Sequence, residues 1–280
     1  MSQLREMLAQ DFMRHVLAGT VIVAALCSYL GVFIVLRRAV FVGAALAQVS
    51  SLGVALAMSA GALLHIGDDH TPHLPAGPIA WSLTLSAAVV LAAQRRERRL
   101  PRESIVAIVY VAAAALAILA IALSVHAEAE VLNLLFGNVL TIGRGTVVEL
   151  AAVTGVLGLI HAAAYRRFLF VSFDPDMATA LGVRARWWNL ALFLTIGAAV
   201  ATAIHAAGML VVFNFLVVPA ATALLIGKTL RQVFALAVLT GMVAALAGVS
   251  LSYVADLPTG PAIIAVNVAL LLAAALWRRG

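Results

Sequence analysis

The sequence predicts an all-α, polytopic bundle of about nine membrane-spanning helices, with its N-terminus outside and its C-terminus in the cytoplasm. Two observations predict the class. Of the 280 residues, 64% are hydrophobic and 11% charged, against about 25% charged in soluble domains; the mean hydropathy is +1.10. The apolar residues are gathered into long runs, and the basic residues fall in short clusters between them. A soluble chain of this composition would expose large apolar patches. One integral membrane domain over 1–280 is therefore expected.

A spanning helix needs about 20 largely apolar residues. The first run, 13–36, stops at Arg37 and Arg38; the second, 41–64, stops at "HIGDDHTPHLPAG". The third, 76–94, ends at "RRERRLPR" and the fourth, 104–124, at "HAEAE". "EVLNLLFGNVLTIGRG" (130–145) is too short and broken to cross, and reads as a short helix at the outer face. The fifth run, 146–165, closes on "YRR". The stretch 189–226 is too long for one span, and Gly208 offers a break into 189–207 and 209–226. Runs at 233–254 and 261–277 complete the set, separated by "DLPTG".

Charge fixes the expected orientation. Arg37–Arg38, "RRERRLPR" (95–102), "YRR" (165–167), "RARWW" (184–188), Lys228 with Arg231, and Arg278–Arg279 all fall on one side if the N-terminus is outside. The opposite loops carry acids and histidines, with Arg144 their one basic residue. Cytoplasmic loops are enriched in Lys and Arg, so the basic side is the cytoplasm. The net charge of +6 is a topology signal here and not a nucleic-acid footprint. The start lacks a basic region followed by an apolar core and a small-residue cleavage site, so no removable signal peptide is expected. The one cysteine, Cys27, allows no intrachain disulfide.

Four stretches carry candidate chemistry. In "RRFLFVSFDPDMATALGVRARWWN" (166–189), Asp174 before Pro175 suits a helix start, and Gly182 suits its stop. A short capped helix flanked by arginines fits either docking to a partner or an ordinary loop. In "HAAGMLVVFNFLVVPAATALLIG" (205–227), Asn214 and Pro219 interrupt an apolar run. A membrane proline needs neighbours to satisfy the carbonyl it frees, so Asn214 is expected to face protein or water, as a structural hydrogen bond or a substrate contact. The loop with His65, Asp68, Asp69, His70 and His73 offers imidazole and carboxylate ligands for transition metals, or is a solvated connector; His126, Glu128 and Glu130 stand in another outer loop. His161 and His205 read as packed or hydrogen-bonded helix residues. In "VFVGAALAQVSSLGVALA" (40–57), Gln48 and Ser51 share a helix face. No phosphate-binding glycine loop, nucleophile elbow or HExxH motif is present, which argues against an enzyme.

Several of these motifs, in order, resemble one family. They are "GVFIVLRRAVFVGAALAQVSSLGVALA", "ESIVAIVYVAAAALAILAIALS", "NLLFGNVLTI", "FDPDMATALGV", "AAGMLVVFNFLVVPAATALLI" and "GVSLSYVADLPTGPAIIAVNVALLLA". Over nearly its whole length the chain resembles the permease subunit of bacterial ATP-binding-cassette importers for zinc, manganese or iron. The resemblance implies a multi-pass protein of the bacterial inner membrane. It implies two permease copies on two cytoplasmic ATP-hydrolysing subunits, fed by an extracytoplasmic metal-binding protein. This chain would bind no cofactor of its own, since ATP belongs to the partner subunit. It also implies that 172–188, with Asp174, Pro175, Asp176 and Gly182, is the coupling segment that touches the ATPase.

One departure bears on substrate. The family's pattern after the paired arginines is G-D-x-x-x-H, whose Asp and His lie on one helix face. Here Gly43 is followed by Ala44 and Gln48: Ala44 cannot ligate, and Gln48 offers a neutral carbonyl oxygen. Polar groups in lipid are costly, so the face of Ala44, Gln48 and Ser51 is expected to point at the central path, together with Asn214. Three functions remain open at this point: a divalent-metal importer whose path lacks strong ligands, with zinc favoured because nitrogen ligands in the outer loop suit it; an importer of the same build for a chelated metal or other small solute; and a non-transporting membrane partner or sensor.

If the outer loop collects metal, joint alanine replacement of His65, Asp68, Asp69, His70 and His73 will raise the external concentration for half-maximal uptake severalfold. The maximal rate will change little, because capture and not passage is altered. Uptake titrated against free metal checks this, and an unchanged curve assigns the loop as a connector.

Overall fold

The computed structural model describes residues 10–63, 76–94, 101–122 and 142–279. They form α1 (Asp11–Leu36), α2 (Val40–Leu63), α3 (Ala76–Ala93), α4 (Arg102–Ala122), α5 (Arg144–Phe173), the short α6 (Pro175–Ala180), α7 (Ala185–Ala207), α8 (Met209–Ile226), α9 (Leu230–Ala255) and α10 (Thr259–Arg279). Among the described residues, nine of these are long and apolar enough to cross a membrane, and there is no strand. The loop 65–75 and the segment 130–141 lie outside the described residues.

The helices pack in two groups. α8, α9 and α10 contact one another, and α1 lies against α8 and α9; α2 is flanked by α3 and α4. α7 bridges the groups, touching α3, α2, α5 and α1. The main core runs through α1, α7, α8 and α9, with Leu30, Phe33, Leu192, Val200, Phe215 and Phe234 at its centre. A second cluster joins Val49, Leu52 and Ala55 of α2 to Ala113, Ala117 and Ile121 of α4. α2 is the most enclosed helix and α5 the least; Val148, Val156 and Leu159 of α5 are exposed as lipid contacts would be. Cys27 is fully buried and free.

Lipid offers no hydrophobic force between helices, so close approach at small residues holds such bundles. Gly31 of α1 lies so near α8 that a Cβ there would overlap the carbonyl oxygen of Leu216. Gly241 of α9 meets Ser28 of α1 in the same way. Gly53 backs onto Ala80, and Gly248 onto Ile263.

Helix ends agree with the sequence to within a few residues except in α5. The run 146–165 is the expected span, whereas the helix continues to Phe173. Arginines end a lipid span without ending a helix: Phe168 and Val171 stay buried while Arg166 and Arg167 face outward, so α5 leaves the apolar layer as an amphipathic rod. The break in 189–226 falls at Gly208, whose φ of +79° is costly for any residue with a Cβ. Pro219 lies inside α8, which continues through it.

Gly31→Ala will force α1 and α8 apart. Overpacking costs about 1–3 kcal/mol, enough to lower the thermal midpoint of the purified protein by roughly 5 °C. Gly155→Ala on α5, where nothing stands within 4 Å, will not lower the midpoint and will raise it slightly through helix propensity. A thermal-shift series on the two variants measures the difference.

Candidate translocation path and coupling segment

The path candidates sit on α2 and α8. Ala44, Gln48 and Ser51 recur every three or four residues of α2, which places them on one face, and each exposes less than a tenth of its surface, Gln48 6%. Ala55 continues this face and packs in the cluster with α4. Gly43, turned away from it, faces Leu216 of α8. The Ser50 and Ser51 hydroxyls are buried with no hydrogen-bond partner among the described residues. Ser59, about two turns further on, donates to the Leu56 carbonyl at 3.2 Å.

On α8, Asn214 is buried, and neither its amide nitrogen nor its oxygen has a partner among the described residues. Pro219 removes the donor that would serve the Phe215 carbonyl one turn earlier. Asn267 on α10 repeats the pattern: it is fully buried and both amide atoms are unpaired. Asn267 is absent from the candidates of the sequence, although an amide inside "AVNVAL" is the same signal that marks Asn214. Buried polar atoms are nearly always paired with protein or water, and these amides and hydroxyls depart from that rule among the described residues.

Two histidines of the spans, His161 and His205, have partners within the bundle. His161 Nε2 shares a hydrogen bond with Thr195 Oγ1 at 3.0 Å. Its ring stacks on Phe168 at 4.6 Å and meets Tyr29 and Phe33 edge-on. His205 Nδ1 lies 2.8 Å from the Ala201 carbonyl. No three His, Cys, Asp or Glu come together among the described residues. The loop candidates His65, Asp68, Asp69, His70 and His73 lie outside them.

The segment 172–188 contains the short helix that the sequence predicts. Asp174 Oδ1 accepts the Met177 amide at 2.8 Å, and Pro175 occupies the first helical position. Thr179 Oγ1 donates to the Pro175 carbonyl at 2.8 Å. Gly182 turns the chain out of the helix at φ +79°, with its amide and that of Val183 closing on Thr179 and Ala178. Ala178 alone in α6 is buried. Phe173, Met177 and Leu181, four residues apart, are exposed by more than half, as is Trp187. Asp174, Asp176, Arg184 and Arg186 surround them, all exposed. An apolar row rimmed by charge is the usual make-up of a docking surface.

Behind α6 lies a cleft of about 1190 Å³ bordered by Arg37, Glu103, Ser172, Asp176, Arg186 and Asn189. Arg37 spans its base. Nε donates to Ser172 Oγ at 2.9 Å, and Nη1 donates to Asn189 Oδ1. Burial lowers the guanidinium pKa to about 10, so it stays charged at neutral pH.

The comparisons agree with this architecture. The model of the ABC 3 transport family matches residues 9–278. The chain is 28% identical to the manganese transport system membrane protein MntC of Halalkalibacterium halodurans, over 93% of this chain and 85% of that one. It is 25% identical to a Haemophilus influenzae protein named "Probable iron transport system membrane protein", over 98% of this chain and 93% of the other. Among solved structures, PsaBC from Streptococcus pneumoniae in complex with Fab has the same fold, with a TM-score of 0.82 at 22% identity, covering 98% of this chain and 94% of that one. A match across residues 9–278, with nine apolar helices among the described residues, makes this a multi-pass protein of the bacterial inner membrane that belongs to the ABC 3 transport family.

Proposed function

We propose that the chain is the permease subunit of an importer for a divalent transition metal, driven by ATP hydrolysis on a separate subunit. The observation that carries this reading is the family match over 9–278, with relatives of near-full coverage named for manganese and iron transport. Two copies of the permease enclose the path, an extracytoplasmic binding protein delivers the ion, and the arginine-rich end faces the cytoplasm. The apolar row of Phe173, Met177 and Leu181 is where the ATPase docks, with Asp174, Pro175, Asp176 and Gly182 shaping the docking helix.

Manganese or iron fits better than zinc. The names of the relatives point that way, and so does the chemistry of Gln48. Amide and hydroxyl oxygens suit harder ions such as manganese, whereas zinc prefers imidazole and thiolate. The path runs along the face of Ala44, Gln48 and Ser51 and past Asn214. Neighbouring helices close over that face here, so its opening requires α2 to move against them. Without a carboxylate or imidazole the path holds the ion weakly and releases it readily.

Uptake of radioactive manganese, iron and zinc into cells with and without the gene tests the reading: manganese or iron accumulation will depend on the gene. Equal accumulation of all three metals in both strains would overturn it. Gly182→Val places a β-branched side chain at positive φ, a strained conformation for such a residue. The variant will remain in the membrane but lose most substrate-stimulated ATP hydrolysis and uptake.

The double change Ala44→Asp, Gln48→His creates two ligands four residues apart on one face. Two copies supply up to about four, the number zinc prefers. A charged residue at mid-membrane costs about 2.5–3.5 kcal/mol on insertion scales, which a bound cation offsets. The purified double variant, free of binding protein, will carry zinc measurable by mass spectrometry, and the parent will not. Equal zinc in both would mean either that this face does not line the path or that the parent binds zinc through other ligands.

A further inference from the structure

We propose that Arg37 transmits motion of the coupling segment to α2, by tying both roots of α6 to the corner between α1 and α2; this rests on the permease reading above. α6 has six residues, too few to be stable alone, and it packs on the ends of α5 and α7. Whatever displaces α6 therefore displaces those ends. Ser172 lies two residues before the cap Asp174, and Asn189 lies in the second turn of α7. Arg37 donates to both, through Nε and Nη1.

The partners are themselves anchored. Asn189 Nδ2 donates to the Ala92 carbonyl at the end of α3, at 3.1 Å. Ser172 Oγ donates to the Phe168 carbonyl. One guanidinium thus joins α5, α7 and, through Asn189, α3. On its other side there is little slack. The amides of Arg38 and Ala39 bond the carbonyls of Val35 and Ile34, both at 3.0 Å, and Val42 bonds back to Ala39 at 2.9 Å. Arg38 takes a φ of +55° to make this corner, and α2, which carries Gln48, begins at Val40. A shift at the roots of α6 reaches the first turn of α2 through one side chain and a three-residue turn.

Stability does not account for this arginine. Its acceptors are neutral, and the one ion pair among the described residues is Arg14–Asp11. Arg37 is half-buried at the edge of the cleft with no counter-ion, an arrangement that costs solvation, and apolar residues of similar volume commonly serve a fold better. Positive-inside topology does not require arginine either, since lysine supplies the same charge. What lysine cannot supply is a planar fork that holds two acceptors on two helices.

Arg37→Lys separates the roles. The test uses the permease assembled with its ATPase in proteoliposomes, with metal-loaded binding protein added. The variant is expected to assemble like the parent, with the same basal ATP hydrolysis and the same metal concentration for half-maximal uptake. Uptake and stimulation of hydrolysis will fall by about tenfold. Asn189→Ala will reproduce part of the loss, and combining it with Arg37→Lys will add nothing further, as expected for groups acting as one unit. Parental uptake and stimulation in Arg37→Lys would overturn the proposal and leave Arg37 as a topology charge. Should Arg37→Lys fail to assemble, Ser172→Ala with Asn189→Ala decides: an assembled, fully coupled double variant overturns the proposal, and an assembled, uncoupled one supports it. Failure of the permease reading shows separately, in a parent complex without metal uptake or stimulation.

Discussion

The structure follows from one constraint: within a bilayer there is no water to satisfy backbone amides and carbonyls. Each crossing segment must close its own hydrogen bonds, which makes the spans helices. The constraint also decides where irregular backbone is allowed. The break at Gly208 is enclosed by buried Ala206, Ala207 and Met209, and Pro219 is buried as well. Neither defect meets lipid. The loosely enclosed α5 contains neither a proline nor a break.

The same constraint gives meaning to the interior side chains. His161 and Thr195 satisfy each other and sit in a cage of aromatic rings, so they read as architecture. Asn214, Asn267, Ser50 and Ser51 do not close their bonds within the described chain. On the proposed reading as a permease, such unfilled bonding capacity is the chemistry that a route for a polar particle would use. The contrast is between polar groups that complete the fold and polar groups that the fold leaves open.

Much of the fold was legible because its signal is local. Run length and flanking charge located the helices, and the capped helix after Asp174 was readable from Asp-Pro and Gly182. Two things were not. The overrun of α5 is hidden in the sequence because Tyr165–Arg167 carry the signal of a span's end, while the buried Phe168 and Val171 that extend the helix matter only once α1 and α7 are beside them. Arg37 was hidden for a related reason. In the sequence it is half of a paired topology marker, and its role depends on Ser172 and Asn189, more than a hundred positions away. Gln48 stood out because an amide in an apolar run is conspicuous, whereas Asn267 is as conspicuous and was passed over for want of a neighbouring motif.

α5 has one further mechanical consequence. Its 30 residues make a rod of about 45 Å, against a hydrocarbon layer of about 30 Å. Roughly 15 Å of it stands clear of the apolar layer, and α6 is fixed to its tip. Such a rod is a lever hinged at the end remote from α6. Pivoting about its far end by about 5° would carry the tip roughly 4 Å, about the length of a side chain. The geometry would convert a small rocking of this helix in lipid into a displacement large enough to make or break contacts at its end.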